Sequence, residues 1–220
     1  MQAGVRRDAD SAPITEDTIY RIYSMSKPIT GVAMMMLYEE GAFTLDDPVT
    51  KFVPEFANLK VMTGVDDAGA PILTDPDHIP TMREVMSHTA GFAYGLFGDD
   101  PANGMFRDQQ IMQSPDLDSF IDKVADVPLL FQPGTKWSYS ASVDVQGYVI
   151  QKISGVTLGE FLDTRLFMPL GMTDTGFYVP AEDLDRFSDA FGYAPDKPEL
   201  GLVKYDTPTV QFRKETIAME

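Results

Sequence analysis

A chain of 220 residues with 44% hydrophobic and 23% charged side chains can bury one sizeable core, or two smaller lobes around a cleft. Its formal charge of −17 argues against partners that need lysine and arginine patches, namely nucleic acid and anionic membrane surfaces. The absence of cysteine excludes disulfides, thiol nucleophiles and thiolate metal sites, and no apolar run reaches transmembrane length.

The first residues, Met1 to Asp8, lack the apolar core of a secretion signal, so a cytoplasmic location is expected. Ile14 to Ser24 reads as an extended lead-in. From Ser24 to Gly41, Ile29, Val32, Ala33, Met36 and Leu37 recur at helical spacing, and Gly41 is a suitable stop. Pro28 is tolerated only near a helix start, which places Ser24 at that end with Lys27 one turn on along the same face. A serine hydroxyl is a poor nucleophile until a base takes its proton, and a lysine whose pKa is lowered by burial is such a base. The positive end of the helix would further favour an alkoxide. On the S-x-x-K pattern alone, a serine cap followed by a solvated lysine is the more ordinary reading.

Leu45 to Val49 begins a turn and a short helix to Phe52. Lys60–Met62 and Pro71–Leu73 are predicted to pair as a hairpin across 66–69. Thr81-Met82-Arg83-Glu84 is a capping box, predicting a helix to about His88. Phe92 to Gln110 carries Tyr94, Phe97, Met105 and Phe106 among glycines and a proline, and reads as a long functional loop. Ser114-Pro115 suggests a cap for a helix with the stripe Leu117, Phe120, Ile121 and Val124. A helix from about Ser142 to Ser154 should end at Gly155, and Thr157 to Glu160 is a second capping box. Tyr193 and Leu202–Tyr205 look like a hairpin around 195–198.

Ser24-Met25-Ser26-Lys27, Leu45-Asp46-Asp47-Pro48-Val49, Met86 to Phe92, Gln132-Pro133-Gly134, and Trp137-Ser138-Tyr139-Ser140 with Gly147 occur in this order. Together they resemble the serine β-lactamase-like superfamily, most closely its branch of class C β-lactamases and family VIII carboxylesterases. The S-x-x-K motif is among the catalytic signatures of such proteins. The resemblance implies an α/β (α+β) fold of the β-lactamase and penicillin-binding-protein type. It casts residues 24–180 as nucleophile helix and helical lobe, and 181–220 as a hairpin or extension.

The resemblance also implies roles. Ser24 would be acylated, Lys27 would help deprotonate it, and Tyr139 would share the proton traffic. The Ser24 backbone N–H would supply one oxyanion donor. Tyr94, Phe97, Phe106, Trp137 and Ala141 are the expected substrate contacts, with core packing the competing reading for Trp137 and for the aromatic loop. His88 is expected to be structural, binding backbone beside a helix end. No metal or cofactor is expected.

Ala141 stands where typical β-lactamases carry an asparagine of the tyrosine box, which tilts the expected substrate from lactams towards short-chain esters. The family's third motif has no match, so the chain is expected to be a fragment lacking most of the antiparallel sheet. Weak or no activity of the fragment alone would follow, with exposed apolar surface favouring homo-oligomers. A β-lactamase or D-amino-acid peptidase, and a non-catalytic binding protein, are the alternatives.

Overall fold

The 14 residues of α1 (Ser26–Glu39) turn Thr30, Ala33, Met34 and Leu37 inward. Val32, expected on that face, is exposed instead, because this helix is apolar nearly all round and periodicity does not select a side. Ser24 lies just ahead of α1, in a 3-10 turn (Tyr23–Met25) in which Met25 N–H donates to Ile22 O at 2.9 Å. Pro28 falls in the first turn, where its missing N–H costs no helical bond. At the other end Gly41 takes φ +74° and Ala42 N–H reaches back to Leu37 O at 3.0 Å, which closes the helix.

The computed structural model describes residues 13–193 and 202–206. They form two units: Lys27–Leu166, and 13–26 with 167–193 and 202–206. In the larger unit, β1 (Val61–Val65) and β2 (Pro71–Thr74) make the predicted antiparallel hairpin, with a bulge between Met62 and Gly64. Its turn is organised by Asp66, whose Oδ1 accepts the N–H groups of Ala68 and Ala70. The segment around Leu129 runs beside β1, exchanging bonds with Lys60 and Met62, and Leu130 N–H donates to Gly91 O at 2.7 Å. Gly91, at φ +94°, permits this crossing, since a Cβ there would lie 2.7 Å from Phe131 O.

The capping box at Thr81 forms as expected and starts α2 (Met82–Met86), which ends at Ser87. The expected loop 92–110 is a correction: it contains α3 (Pro101–Asp108), with Asp100 as N-cap and Pro101 in the first turn. Helix α4 (Leu117–Ala125) buries the predicted stripe, but its cap is Asp116 rather than Ser114. Ser114 instead closes the preceding 3-10 turn. Helix α5 (Ser142–Ser154) ends at Gly155 as expected. It buries Val145 through Ile150 without interruption, because α2, α4 and α6 (Leu158–Leu162) all pack on it. Gln146 ties α5 to α2 by donating to Val85 O at 3.4 Å. The pairs Phe56–Phe92 and Phe106–Phe120 add aromatic contacts to the core.

In the smaller unit Ile19 bridges to Phe187, and the Arg21 guanidinium lies 4.0 Å over the Phe187 ring. Arg186 pairs with Asp174 and Asp183. Strands β3 (Ala190–Tyr193) and β4 (Leu202–Asp206) pair antiparallel, and the turn expected at 195–198 lies outside the described residues. Among the described residues the sheets are two-stranded and helix dominates, in keeping with a partial β-lactamase-like α/β domain.

Candidate active site

Three elements of the larger unit bring Lys27, Tyr94 and Tyr139 together. Lys27 stands in the first turn of α1, Tyr94 follows the Gly91 crossing, and Tyr139 lies in the extended segment entering α5. The Lys27 ammonium donates to Tyr94 Oη at 3.4 Å and lies 4.8 Å from the centre of the Tyr139 ring. The two tyrosine rings meet edge-on, 5.5 Å apart at 67°. Phe97 also meets Tyr139 edge-on at 6.3 Å, and the half-buried His88 stacks on its face at 5.5 Å and 9°. Tyr139 is thus boxed by rings on several sides, which holds its phenol in one orientation.

The electrostatics differ from the sequence expectation at one residue. Burial disfavours the Lys27 ammonium, but its hydrogen bond with Tyr139 and the pull of both phenols outweigh burial, and its pKa is raised. A lysine base lowered by burial was expected, and the reversal makes Lys27 a fixed cation facing two phenols. Burial raises the Tyr94 phenol, with the Asp144 carboxylate adding to it. Burial lowers the His88 imidazole, with Lys27 adding to it. Asp144, in the first turn of α5, is pushed up to about 6 by burial, partly offset by Lys27. Its Oδ2 is buried with no hydrogen-bond partner among the described residues.

Beside this cluster a cavity of about 230 Å³ is lined by Tyr94, Phe97, Asn103, Leu130, Trp137, Ser138 and Tyr139. Trp137 is 65% exposed, so it is a wall of the cavity and not core. Phe106 and Ala141, expected as substrate contacts, are buried behind that wall. Phe106 backs Tyr94 edge-on at 6.3 Å, and Ala141 donates its N–H to Ala93 O at 3.2 Å. Ser24 is exposed and belongs to the smaller unit, joined to Lys27 through Met25 and Ser26. His88 binds backbone beside the end of α2, as expected, by accepting Ser140 N–H at Nδ1.

Two residues escaped the sequence reading. Asn103, buried on α3, accepts the N–H groups of Tyr94 and Gly95 at 3.1 and 2.9 Å and so fixes the backbone that carries Tyr94. Asp144 reads in sequence as a solvated carboxylate at a helix start. Among the described residues no group of three or more His, Asp or Glu side chains is placed to hold a metal ion, and no helix is long and apolar enough to cross a membrane.

The model of the Beta-lactamase family matches residues 1–208, and this chain belongs to that family. It is 38% identical to Protein Rv1367c of Mycobacterium tuberculosis over 182 residues, covering 80% of this chain and 43% of that protein. It is 34% identical to esterase EstB of Burkholderia gladioli over 193 residues, covering 85% of this chain and 44% of the esterase. In structure it is similar to the LovD6 mutant of simvastatin synthase from Aspergillus terreus. The TM-score is 0.77 at 27% identity, over 96% of this chain and 49% of the synthase. The chain therefore spans less than half the length of these relatives, which as a group include esterases and acyltransferases.

Proposed function

We propose that the protein is a serine hydrolase that works through an acyl-enzyme on Ser24, with short-chain carboxylic esters as substrates. The observation that carries this reading is the Lys27–Tyr94–Tyr139 cluster opening onto an aromatic-walled cavity. An ammonium beside a phenol favours the phenolate, which is the form a proton acceptor needs. In this reading Tyr139 takes the proton of Ser24 Oγ as that oxygen bonds to the acyl carbon. The alkoxy group departs with the returned proton, and water then cleaves the acyl-enzyme, releasing the acid and restoring the serine. Lys27 supplies the fixed positive charge. The walls formed by Phe97, Leu130 and Trp137 suit an apolar acyl or alcohol group.

Intact-mass spectrometry after fluorophosphonate treatment tests this. One adduct is expected, absent in Ser24→Ala, with labelling slowed about 10²- to 10⁴-fold in Lys27→Ala and Tyr139→Phe. An adduct that persists in Ser24→Ala would overturn the assignment. Parallel assays with a p-nitrophenyl ester and a chromogenic cephalosporin then separate ester from lactam turnover.

A further inference from the structure

We infer that His88 is a positioning residue for Tyr139, stacked on one face of its ring as a neutral imidazole with its proton on Nε2. This rests on the reading of Tyr139 as the proton acceptor for Ser24.

The argument begins at the backbone. His88 directly follows the cap of α2 and sits at φ +59°, in the left-handed region that side chains seldom occupy. Its carbonyl accepts Ser138 N–H at 3.0 Å, so the main chain just before Tyr139 is fastened to it. The ring fastens the residue just after. Ser140 N–H donates to His88 Nδ1 at 3.2 Å, and an N–H can only donate, so Nδ1 must carry a lone pair. A neutral imidazole with a bare Nδ1 has its proton on Nε2.

The hydroxyls agree with this polarity. Ser140 Oγ lies 3.0 Å from Nδ1 and 2.8 Å from Ser142 Oγ, so Ser142 can donate to Ser140 and Ser140 to the ring. Between these two backbone anchors the imidazole lies nearly parallel to the phenol ring of Tyr139. One residue thus fixes both flanks of Tyr139, its carbonyl holding Ser138 and its ring holding Ser140 and one face of the phenol. With Nδ1 engaged and Nε2 protonated, His88 has no lone pair left to act as a base itself.

Protonation would undo the arrangement. A proton on Nδ1 would face the Ser140 N–H, removing that bond, and would place a second cation near Lys27. The groups facing His88 are Lys27 from α1 and Trp137, Tyr139 and Ser140 from the segment before α5. The Glu84 carboxylate on α2 is occupied by His78 and Thr81. Burial and Lys27 both disfavour the imidazolium, so the neutral form should persist below the ordinary histidine range.

The test uses the chain with ¹⁵N-histidine and ¹³Cζ-tyrosine, read by NMR across pH. The two histidines are assigned by His78→Asn and the Tyr139 line by Tyr139→Phe. Expected are an Nε2–H tautomer for His88 at pH 7 and a Tyr139 resonance that shifts as His88 titrates. His88→Asn tolerates the left-handed backbone and keeps an acceptor while losing the ring. It should slow fluorophosphonate labelling of Ser24 about 10- to 100-fold, with His78→Asn unchanged. An Nδ1–H tautomer, a Tyr139 line blind to His88, or unaltered labelling in His88→Asn would each overturn the inference. If wild type forms no adduct at all, as the weak activity expected of this chain alone allows, the two resonances still decide whether His88 holds Tyr139.

Discussion

A carboxylate with one buried, unbonded oxygen is costly to keep ionised, and Asp144 on α5 is in that position. Folded, it holds its proton up to about pH 6, while in the unfolded chain the ordinary value is 3.8. Between those values the folded state binds more protons, so the stabilisation is fully present below 3.8 and is lost as pH rises through 6. Replacing the carboxyl by an amide removes that loss. Asp144→Asn is therefore expected to be more stable than wild type at pH 8 by on the order of 1–3 kcal/mol. Its stability should also vary less with pH around neutrality. Urea denaturation at pH 5 and pH 8 measures both, and an Asn variant weaker at pH 8 would contradict the account. Lys27 offers a contrast, since a lysine close to phenols keeps its charge where a lysine close to apolar groups would lose it.

At the scale of elements, the placement of Tyr94 depends on α3. Asp100 caps this helix through Asn103 N–H at 2.9 Å, and its second oxygen accepts from the Asn103 amide at 2.7 Å. The amide oxygen, so oriented, takes the two N–H groups of Tyr94 and Gly95. Asn103→Ala leaves the buried Tyr94 donor and the half-buried Gly95 donor without that partner, at a cost of about 1–3 kcal/mol. Tyr94 would be loosened with them, so Ser24 labelling should slow as stability falls. Thermal denaturation beside the labelling rate checks the pair, and a variant as stable as wild type would refute the role given to Asn103. From sequence this stretch reads as a loop because glycines flank and interrupt it. Asp100-Pro101 was nevertheless a legible helix start, an N-cap acid followed by a first-turn proline.

For the whole molecule, 34 acidic against 17 basic side chains leave a surface dominated by self-repulsion. The ion pairs that relieve it are mostly exposed, such as Lys60–Asp75 and Arg83–Asp46, and each contributes little. Screening should therefore help more than it harms. Raising sodium chloride from about 10 mM to about 300 mM shortens the reach of charge from ~30 Å to below ~10 Å, and the Tm is expected to rise by a few degrees. A Tm that falls with salt would mean that the ion pairs outweigh the repulsion.

What the sequence by itself determined were the local and ordered features. The capping box at Thr81, the hairpin turn at Asp66, the stops at Gly41 and Gly155 and the stripe of α4 are all encoded within a few residues of where they act. The motifs from Ser24 to Gly147 likewise made family membership legible, because their order and identity need no coordinates. Tertiary structure decided the rest. Which face of α1 is buried, whether Trp137 packs or lines a cavity, and whether Ala141 and Phe106 can touch a substrate depend on neighbours distant in the chain. So do the charge of Lys27, the proton of Asp144 and the stacking of His88 on Tyr139. Each follows from desolvation and from the dipoles and charges that folding brings within a few ångströms, and no local pattern records those distances.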